Sequence, residues 1–324
     1  MQKYHKVVKL RKWTPFYRSY KEYSSDTCTL KSTTYPIESS ANVLRHLEFT
    51  KPITFEKGLR IQEKFVRAQL DMKKLKSNID KKLIELHEQN VGSTINEHEQ
   101  LILNNILEMK PNPIVLTFEF EPTYTGGKRI KKTITEEEVS KFENFVPIVQ
   151  KDNPKPKFVQ VERGGQVTFH GPGQMVAYII MDLKSFHNFP AKCLVSAIEN
   201  ATIRTLNDVP VGEDQITLNM NAKTTEETGV WIDDHEKIAS IGIHVRRSIT
   251  SHGVCINVSP DLSYLNNFVM CGLPESRATS ILEHNPSSAV SVHDISTTFV
   301  RELAMSLGVK KVERIQLDDL DLDD

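Results

Sequence analysis

The stretch RGGQVTFHGPGQMVAYIIMDL, residues 163–183, decides the fold. Its first half holds four glycines and one proline around residues 167–170, which predicts a short strand with a tight turn at each end. The second half, residues 175–183, is a continuous apolar run and predicts a buried strand. The glycine spacing matches neither the dinucleotide-binding fingerprint nor a P-loop. Taken alone, the segment fits a structural turn with a core histidine as well as a ligand-binding loop.

Apolar runs and periodic patterns predict the elements around this strand. Strands are expected at 44–49, 113–120, 158–161 and 254–258, a hairpin at 230–232 and 238–245, and helices at 191–206 and 290–307. Residues 122–127 are expected to form the turn after the strand 113–120. Many strands with few regular βαβ units indicate an α+β fold, in which helices flank a mixed, largely antiparallel β-sheet.

The composition excludes two broad classes of protein. Of the 324 residues, 39% are hydrophobic and 26% are charged, and no apolar run approaches the roughly 18 residues of a membrane-spanning helix. Lys and Arg number 41 and Asp and Glu number 42, so the net charge is -1. This balance argues against a dedicated nucleic-acid-binding protein.

The two ends of the chain differ from its middle. Residues 1–21 contain seven Lys or Arg and no acidic residue, and Ser and Thr then become frequent. This composition predicts a mitochondrial transit peptide at about 1–25, with a disordered basic arm as the alternative. Residues 317–324 predict an acidic tail. Between them, 41–316 are expected to form a single domain, with a core at about 110–310 and a helical insertion at about 73–108.

A second informative segment is GVWIDDHEKIASIGIHVRRSITSHGVCIN, residues 229–257. Lys237 follows a tight acidic turn at the mouth of an apolar strand, where a lysine can take part in chemistry. An exposed turn lysine is the alternative. His252 opens the next strand and is either a site residue or a satisfied turn or core histidine.

Among the four cysteines, Cys271 best fits a nucleophile. It follows a hydrophobic stretch and precedes Gly272 in a predicted loop, which gives a thiol the necessary exposure. Cys28 lies in the basic leader, whereas Cys193 and Cys255 lie in a predicted helix and strand, where inert buried thiols are normal. A buried structural thiol remains the alternative for Cys271.

Together the three segments resemble the LipB-type lipoyl(octanoyl) transferases of the biotin/lipoate protein-ligase superfamily. The matching motifs are RGGQVTFHGPGQ (163–174), GVW (229–231), KIASIG (237–242), HVRR (244–247), SHG (251–253), INV (256–258) and CG (271–272). The resemblance covers about residues 110–285 and, more loosely, the helix at 58–72. It implies a biotin/lipoate protein-ligase-like catalytic domain.

The resemblance also implies a reaction, its partners and its site. An octanoyl group would pass from octanoyl-acyl-carrier protein to a specific lysine of lipoyl-domain proteins, such as the glycine-cleavage H protein and the E2 subunits of 2-oxoacid dehydrogenases, in the mitochondrial matrix. Cys271 would form the acyl-enzyme and Lys237 would act beside it. No cofactor, metal, nucleic acid or membrane is implied. The residues expected to bind the acyl group are Arg163, Gly164, Gly165, Gln166, Val167, Thr168, Phe169, His170, Ser240, Ile241, Gly242, Gly253, Val254 and Cys255.

The chain departs from this family at one point, and two other functions remain open. The family usually has proline before the nucleophile, whereas this chain has Met270, so the loop lacks that restraint on φ. An ATP-dependent lipoate- or biotin-protein ligase is one alternative, but it would not need Cys271 beside Lys237. A non-catalytic scaffold of the lipoylation machinery is the other, and it would have no use for this pair.

A basic cluster offers a docking surface for the donor. It consists of Lys128, Arg129, Lys131 and Lys132, and it follows a loop that should border the acyl pocket. Acyl-carrier proteins are acidic, so these charges are expected to accelerate their association. A solvated hairpin is the alternative.

Overall fold

A computed structural model describes residues 34–88, 96–211 and 216–318. Within these residues the helices are α1 (Phe55–Glu88), α2 (Glu97–Glu108), α3 (Glu136–Glu143), α4 (Ala191–Asp208), α5 (Ile281–His284) and α6 (Val292–Ser306). Short 3₁₀ turns lie at Ser39–Asn42, Leu183–Ser185 and Met270–Gly272. None of the described helices combines the length and the apolar character needed to span a bilayer.

The strands of the described residues are mostly short. They are β1 (Val43–Phe49), β2 (Ile114–Phe118), β3 (Thr123–Gly126), β4 (Lys157–Gln160), β5 (Val167–His170), β6 (Gln174–Ile180), β7 (Pro210–Val211), β8 (Ile216–Thr217), β9 (Val230–Trp231), β10 (Glu236–Arg246), β11 (Ile249–Asn257), β12 (Arg277–Ala278) and β13 (Lys311–Leu317).

The main sheet is mixed. Its strands follow the order β12-β10-β11-β6-β2-β1-β13, and β9 pairs with β10 outside this path. The central pairs β10–β11, β11–β6 and β6–β2 are antiparallel, as is β9–β10. The pairs at the two edges, β12–β10, β2–β1 and β1–β13, are parallel. The predicted α+β class with a mixed, largely antiparallel sheet is therefore confirmed.

The apolar strand β6 is buried because both faces of the sheet are covered. Met175, Ala177 and Ile179 belong to a core with helices α4 and α6. Val176 and Tyr178 alternate with them and belong to a second core on the side of α1. Side chains alternate across a strand, so a strand between two helical layers has no polar position. This explains the uninterrupted apolar run that the sequence analysis noted.

A three-stranded sheet, β4-β3-β5, stands beside the main sheet. Its central strand β3 lies where the sequence predicted only a turn, at 122–127, and that prediction is wrong for Thr123–Gly126. The register Tyr124↔Phe169 and Gly126↔Val167 shows the reason. The short glycine-containing segment gains its hydrogen bonds from β5, more than forty residues away, and a local pattern does not reveal such pairing.

The structure refines the predicted insertion and tail. Helix α1 (Phe55–Glu88) runs without a break through residue 73, so the predicted insertion at 73–108 begins as the continuation of a core helix. Leu317 ends strand β13 opposite Phe49, and the Thr50 hydroxyl donates to Asp318 at 2.8 Å. The predicted tail therefore starts beyond this strand. Its residues 319–324 and the predicted transit peptide at 1–25 lie outside the described residues.

Candidate active site

A cavity of about 280 Å³ is lined by residues of both sheets. Its walls are the loop 163–166 with strand β5, the middle of the β10–β11 hairpin, the first residue of α1 and the turn Met270–Gly272. Of the residues predicted to bind the acyl group, all except Phe169 line this cavity, and Lys237 lines it as well. The three sequence segments that carry the resemblance thus meet in space.

Phe169 is the exception and requires a correction. It is fully buried and stacks on Tyr264, with ring centroids 4.3 Å apart. Neighbouring side chains of a strand point to opposite faces, and both neighbours of Phe169, Thr168 and His170, line the cavity. Phe169 therefore supports the cavity wall from behind and does not form its surface.

Arg163 fixes the loop at the cavity mouth and is itself largely buried. Its Nη2 donates to the carbonyl and hydroxyl oxygens of Thr125 at 2.8 and 2.7 Å. Its Nη1 donates to the carbonyls of Gly164 and Gln166 at 2.9 and 3.1 Å. The backbone N–H of Gly164 donates to Ile243 of β10 at 3.3 Å. The Arg163 guanidinium thus attaches the loop to β3, and the Gly164 N–H attaches it to β10.

Glycines form the parts of the wall where backbone segments approach most closely. A Cβ on Gly242 would lie 3.0 Å from Cδ of Arg163 and 3.3 Å from the carbonyl oxygen of Gly164. Gly165 has a φ of +89°, which residues with a side chain rarely adopt. The main chain, with its N–H and C=O groups, therefore forms this part of the cavity surface.

Lys237 is only 3% exposed at the start of β10. Its Nζ donates to the Thr228 carbonyl at 2.8 Å and lies 4.9 Å from the ring centroid of Trp231. Gly229 packs against its aliphatic part, since a Cβ there would lie 2.5 Å from Cε. The predicted alternative of an exposed turn lysine is wrong. A buried ammonium held by a carbonyl and a ring face is placed for chemistry inside the cavity.

The turn Met270–Gly272 closes another side of the cavity. Met270 is 5% exposed, lines the cavity and packs in an aromatic cluster that includes Tyr124 and Tyr264. Gly272 has a φ of +76°, and a Cβ there would lie 3.5 Å from Nε2 of Gln166. Packing of the thioether thus holds the turn where the family usually has proline. The backbone of Cys271 lies in this turn, and its side chain is outside the described part of the structure.

Four titratable groups in the cavity are neutral near pH 7. Burial, with the nearby Arg163 charge, lowers the pKa of both His170 and His252 to about 3. Burial also raises the pKa of the Tyr178 hydroxyl and of the free Cys255 thiol. Cys255 is therefore not a thiolate nucleophile. Across the described ranges, no three His, Cys, Asp or Glu side chains gather as metal ligands.

Cys193 lies apart from this cavity. It is buried in helix α4 and belongs to the core on that side of the sheet, where the sequence predicted a buried cysteine.

Three residues in or near the cavity were not predicted from the sequence. Phe55 begins α1 and stacks on His170, with ring centroids 5.4 Å apart. Tyr178 lies in the apolar strand β6, and its hydroxyl, like Nδ1 of His170, has no hydrogen-bond partner among the described residues. Glu199 lies in the middle of α4 and is 8% exposed. Only the charge of Glu199, among otherwise uncharged buried residues of α4, could have drawn attention to it.

The predicted basic cluster forms one turn, at residues 128–133. Arg129 lines the cavity. Lys131 and Lys128 both pair with Glu162, at 2.7 and 3.7 Å, so part of the positive charge is neutralised by a residue that the sequence analysis did not include. These pairs are about half exposed and therefore weak.

The chain matches a family model, sequence relatives and, more distantly, a solved structure. Residues 96–304 match the family model of the lipoyl protein ligase A/B catalytic domain. The mitochondrial octanoyltransferase of Kluyveromyces lactis is 60% identical over 307 residues, which cover 94% of this chain and 92% of that protein. That of Saccharomyces cerevisiae is 58% identical over 303 residues, covering 93% and 92%. The crystal structure of P. falciparum LipL1 in complex with lipoate aligns with a TM-score of 0.48 at 12% identity, over 86% of this chain and 66% of that one.

The family match spans the glycine-rich loop, Lys237 and Cys271, and the two relatives match over nearly the whole chain. The predicted resemblance to octanoyltransferases is thereby confirmed, and so is the assignment to the acyltransferases. The chain belongs to the family of lipoyl protein ligase A/B catalytic domains.

Proposed function

We propose that this protein transfers an octanoyl group from octanoyl-acyl-carrier protein to a lysine of lipoyl domains, through a thioester on Cys271. The observation that carries the proposal is the convergence of buried Lys237, the loop 163–166 and the turn Met270–Gly272 on one cavity. The names of the two relatives, both octanoyltransferases, support the transferred group.

In the first half-reaction, the thiolate of Cys271 attacks the carbonyl carbon of the donor thioester. The tetrahedral intermediate collapses, the bond to the carrier sulfur breaks, and the leaving carrier thiolate takes up a proton from the Cys271–Lys237 pair. One thioester replaces another, so the step is nearly isoenergetic and needs no ATP. Lys237, held at the cavity wall, stabilises the thiolate by its positive charge.

In the second half-reaction, the amine of the acceptor lysine attacks the acyl-enzyme. A carbon–nitrogen bond forms, the bond to Sγ of Cys271 breaks, and the proton lost by the amine returns to the Cys271–Lys237 pair. Amide formation from a thioester is downhill and drives the transfer. The product is an octanoylated lysine, and the free thiol is restored.

The cavity suits a slim acyl chain. Its volume of about 280 Å³ lies just below the usual range of small-molecule sites, which is about 300–1,000 Å³. Val167, Ile241 and Val254 contribute apolar surface, and the main chain at 165–166 and 240–242 offers N–H groups for a developing oxyanion.

The proposal also names the acceptor proteins, the surface where the carrier docks and the cellular location. The acceptors are lipoyl-domain proteins, among them the glycine-cleavage H protein and 2-oxoacid dehydrogenase E2 subunits, and the carrier docks at the basic turn 128–133. The location is the mitochondrial matrix, reached through a transit peptide at about 1–25. The relatives' names, which include the word mitochondrial, support this location.

The test is transfer to a purified lipoyl domain from octanoyl-acyl-carrier protein without ATP. We expect one octanoyl group on the acceptor lysine, and no reaction with free octanoate plus ATP. Pyrophosphate exchange that depends on free lipoate, octanoate or biotin would instead identify an ATP-dependent ligase. Absence of both activities in a folded protein would favour a scaffold.

A further inference from the structure

Glu199 is a buried acidic residue on the α4 side of the candidate site. It lies in the middle of helix α4, it is 8% exposed, and its Oε1 accepts a hydrogen bond from the backbone N–H of Gly229 at 3.1 Å. Burial raises the pKa of Glu199, whereas this hydrogen bond and the charge of Lys237 act in the opposite direction. A carboxyl group in such a position needs a structural or a functional reason.

One peptide unit connects Glu199 with Lys237. The N–H of Gly229 donates to Glu199, and the carbonyl of Thr228, in the same peptide unit, accepts from Nζ of Lys237 at 2.8 Å. This peptide bond is trans, so its N–H and C=O point in opposite directions. Its dipole therefore presents the positive end to the carboxylate and the negative end to the ammonium.

The peptide unit has little freedom to rotate away. Gly229 has a φ of +128°, and a Cβ there would lie 2.6 Å from the carbonyl oxygen of Ala239 as well as 2.5 Å from Cε of Lys237. The carbonyl of Ala239 and the chain of Lys237 thus confine it on the side of β10. Glu199 holds its N–H from the side of α4.

We propose that Glu199 is a positioning residue for Lys237: its carboxylate orients the Thr228–Gly229 peptide so that the Thr228 carbonyl holds the lysine ammonium at the cavity wall. The acidic side chain also supplies negative charge close to a buried cation. This inference rests on the proposed function, because it assigns to Glu199 an effect on the Cys271–Lys237 pair. It gives a reason for a charged side chain among the buried residues of α4, which are otherwise uncharged.

The test compares Glu199→Ala and Glu199→Gln with the wild-type enzyme. We expect kcat for octanoyl transfer to fall about a hundredfold in Glu199→Ala, in line with the loss of a hydrogen bond to a charged group, with little change in KM for the donor. Glu199→Gln retains an acceptor for Gly229 and should fall only about tenfold. Glu302→Gln is the matched control, because Glu302 is also a buried glutamate, 3% exposed, and it pairs with Arg204 away from the cavity.

A double-mutant cycle separates positioning from a general structural role. The readout is the iodoacetamide alkylation rate of Cys271, mapped by peptide mass spectrometry, because Lys237→Ala enzyme still carries this thiol. Glu199→Ala should slow alkylation in the wild-type background and leave it unchanged in the Lys237→Ala background, since both changes remove the same effect. Thermal unfolding shows whether each variant is folded. If Glu199→Ala does not fold, the cycle is measured with Glu199→Gln in its place.

Two results would overturn the inference while leaving the proposed function intact. One is a wild-type kcat in folded Glu199→Ala enzyme, and the other is an equal slowing of alkylation by Glu199→Ala in both backgrounds. Failure of the proposed function has a different signature. In that case wild-type enzyme would not transfer the octanoyl group from the carrier, or Lys237→Ala would leave the alkylation rate of Cys271 unchanged. Either result would also exclude the proposed role of Glu199.

Discussion

Replacing Gly229 with alanine should impair catalysis in a protein that still folds. The Cβ would lie 2.5 Å from Cε of Lys237 and 2.6 Å from the Ala239 carbonyl oxygen, closer than side chains and backbone tolerate. The backbone of β10 is fixed by its pairing with β11, so the flexible lysine chain must yield. The substitution thus moves the ammonium without removing a charge or a hydrogen-bonding side chain.

The size of each effect follows from the geometry at Gly229. A φ of +128° is strained for alanine and should cost about 1–3 kcal/mol of the free energy of unfolding. For a chain of this length that lowers Tm by about 2–10 °C. Displacing Lys237 by about 1 Å should lower kcat about a hundredfold.

Gly308→Ala provides the matched control. Gly308 also has a positive φ, +66°, and a Cβ there would lie 2.8 Å from the Thr34 carbonyl oxygen, but it is not part of the cavity. Thermal unfolding and transfer kinetics would be measured on both variants. Both should lose stability, and only Gly229→Ala should lose kcat. Equal kcat for the two variants would refute this account of how Lys237 is held.

Three further predictions concern other parts of the chain. Deleting residues 1–25 should leave transfer activity unchanged in vitro and abolish import into isolated mitochondria; loss of activity in a folded protein would assign the segment to the enzyme. Reversing the charge of Lys128 and Lys132 should raise KM for the carrier-bound donor but not for a small octanoyl thioester. Glu162→Gln, which frees Lys128 from its ion pair, should lower KM for the carrier-bound donor. Equal changes with both donors would exclude docking of the carrier at this turn. Burial lowers the pKa of His46 to about 3, so its neutral form contributes stability above pH 6.5 that is lost as the pH falls towards 3. Urea unfolding should show that wild-type protein loses about 2 kcal/mol more unfolding free energy than His46→Gln protein between pH 7 and pH 5. The same pH dependence in both proteins would contradict this.

Local patterns predicted the elements that pack in regular layers. The apolar run of β6 and the periodic helices α4 and α6 carry their signals in consecutive residues, because each faces a continuous apolar surface. The candidate site was predicted from the family resemblance, whereas the local glycine pattern alone also fitted a structural turn. The close approach of Gly242 to the Gly164 carbonyl oxygen became visible only in the structure.

Pairings between distant parts of the chain were not predictable. Strand β13, Lys311–Leu317, was missed because its polar sequence gains order from β1, where buried Glu48 accepts hydrogen bonds from Arg314 and Ser296. Glu199 was missed because its partner is a backbone N–H thirty residues away. Neither contact produces a pattern in the residues next to it in the sequence.

The most direct test of the acyl-enzyme is the mass of the protein after incubation with octanoyl-acyl-carrier protein in the absence of an acceptor. We predict the gain of one octanoyl group on the peptide that contains Cys271, its loss when a lipoyl domain is added, and the same gain in Cys255→Ser enzyme. Cys271→Ser enzyme should gain nothing, because an alcohol ionises far less readily than a thiol. An octanoyl group gained equally by Cys271→Ser enzyme, or transfer to the acceptor with no labelled enzyme at any time, would contradict the proposed mechanism.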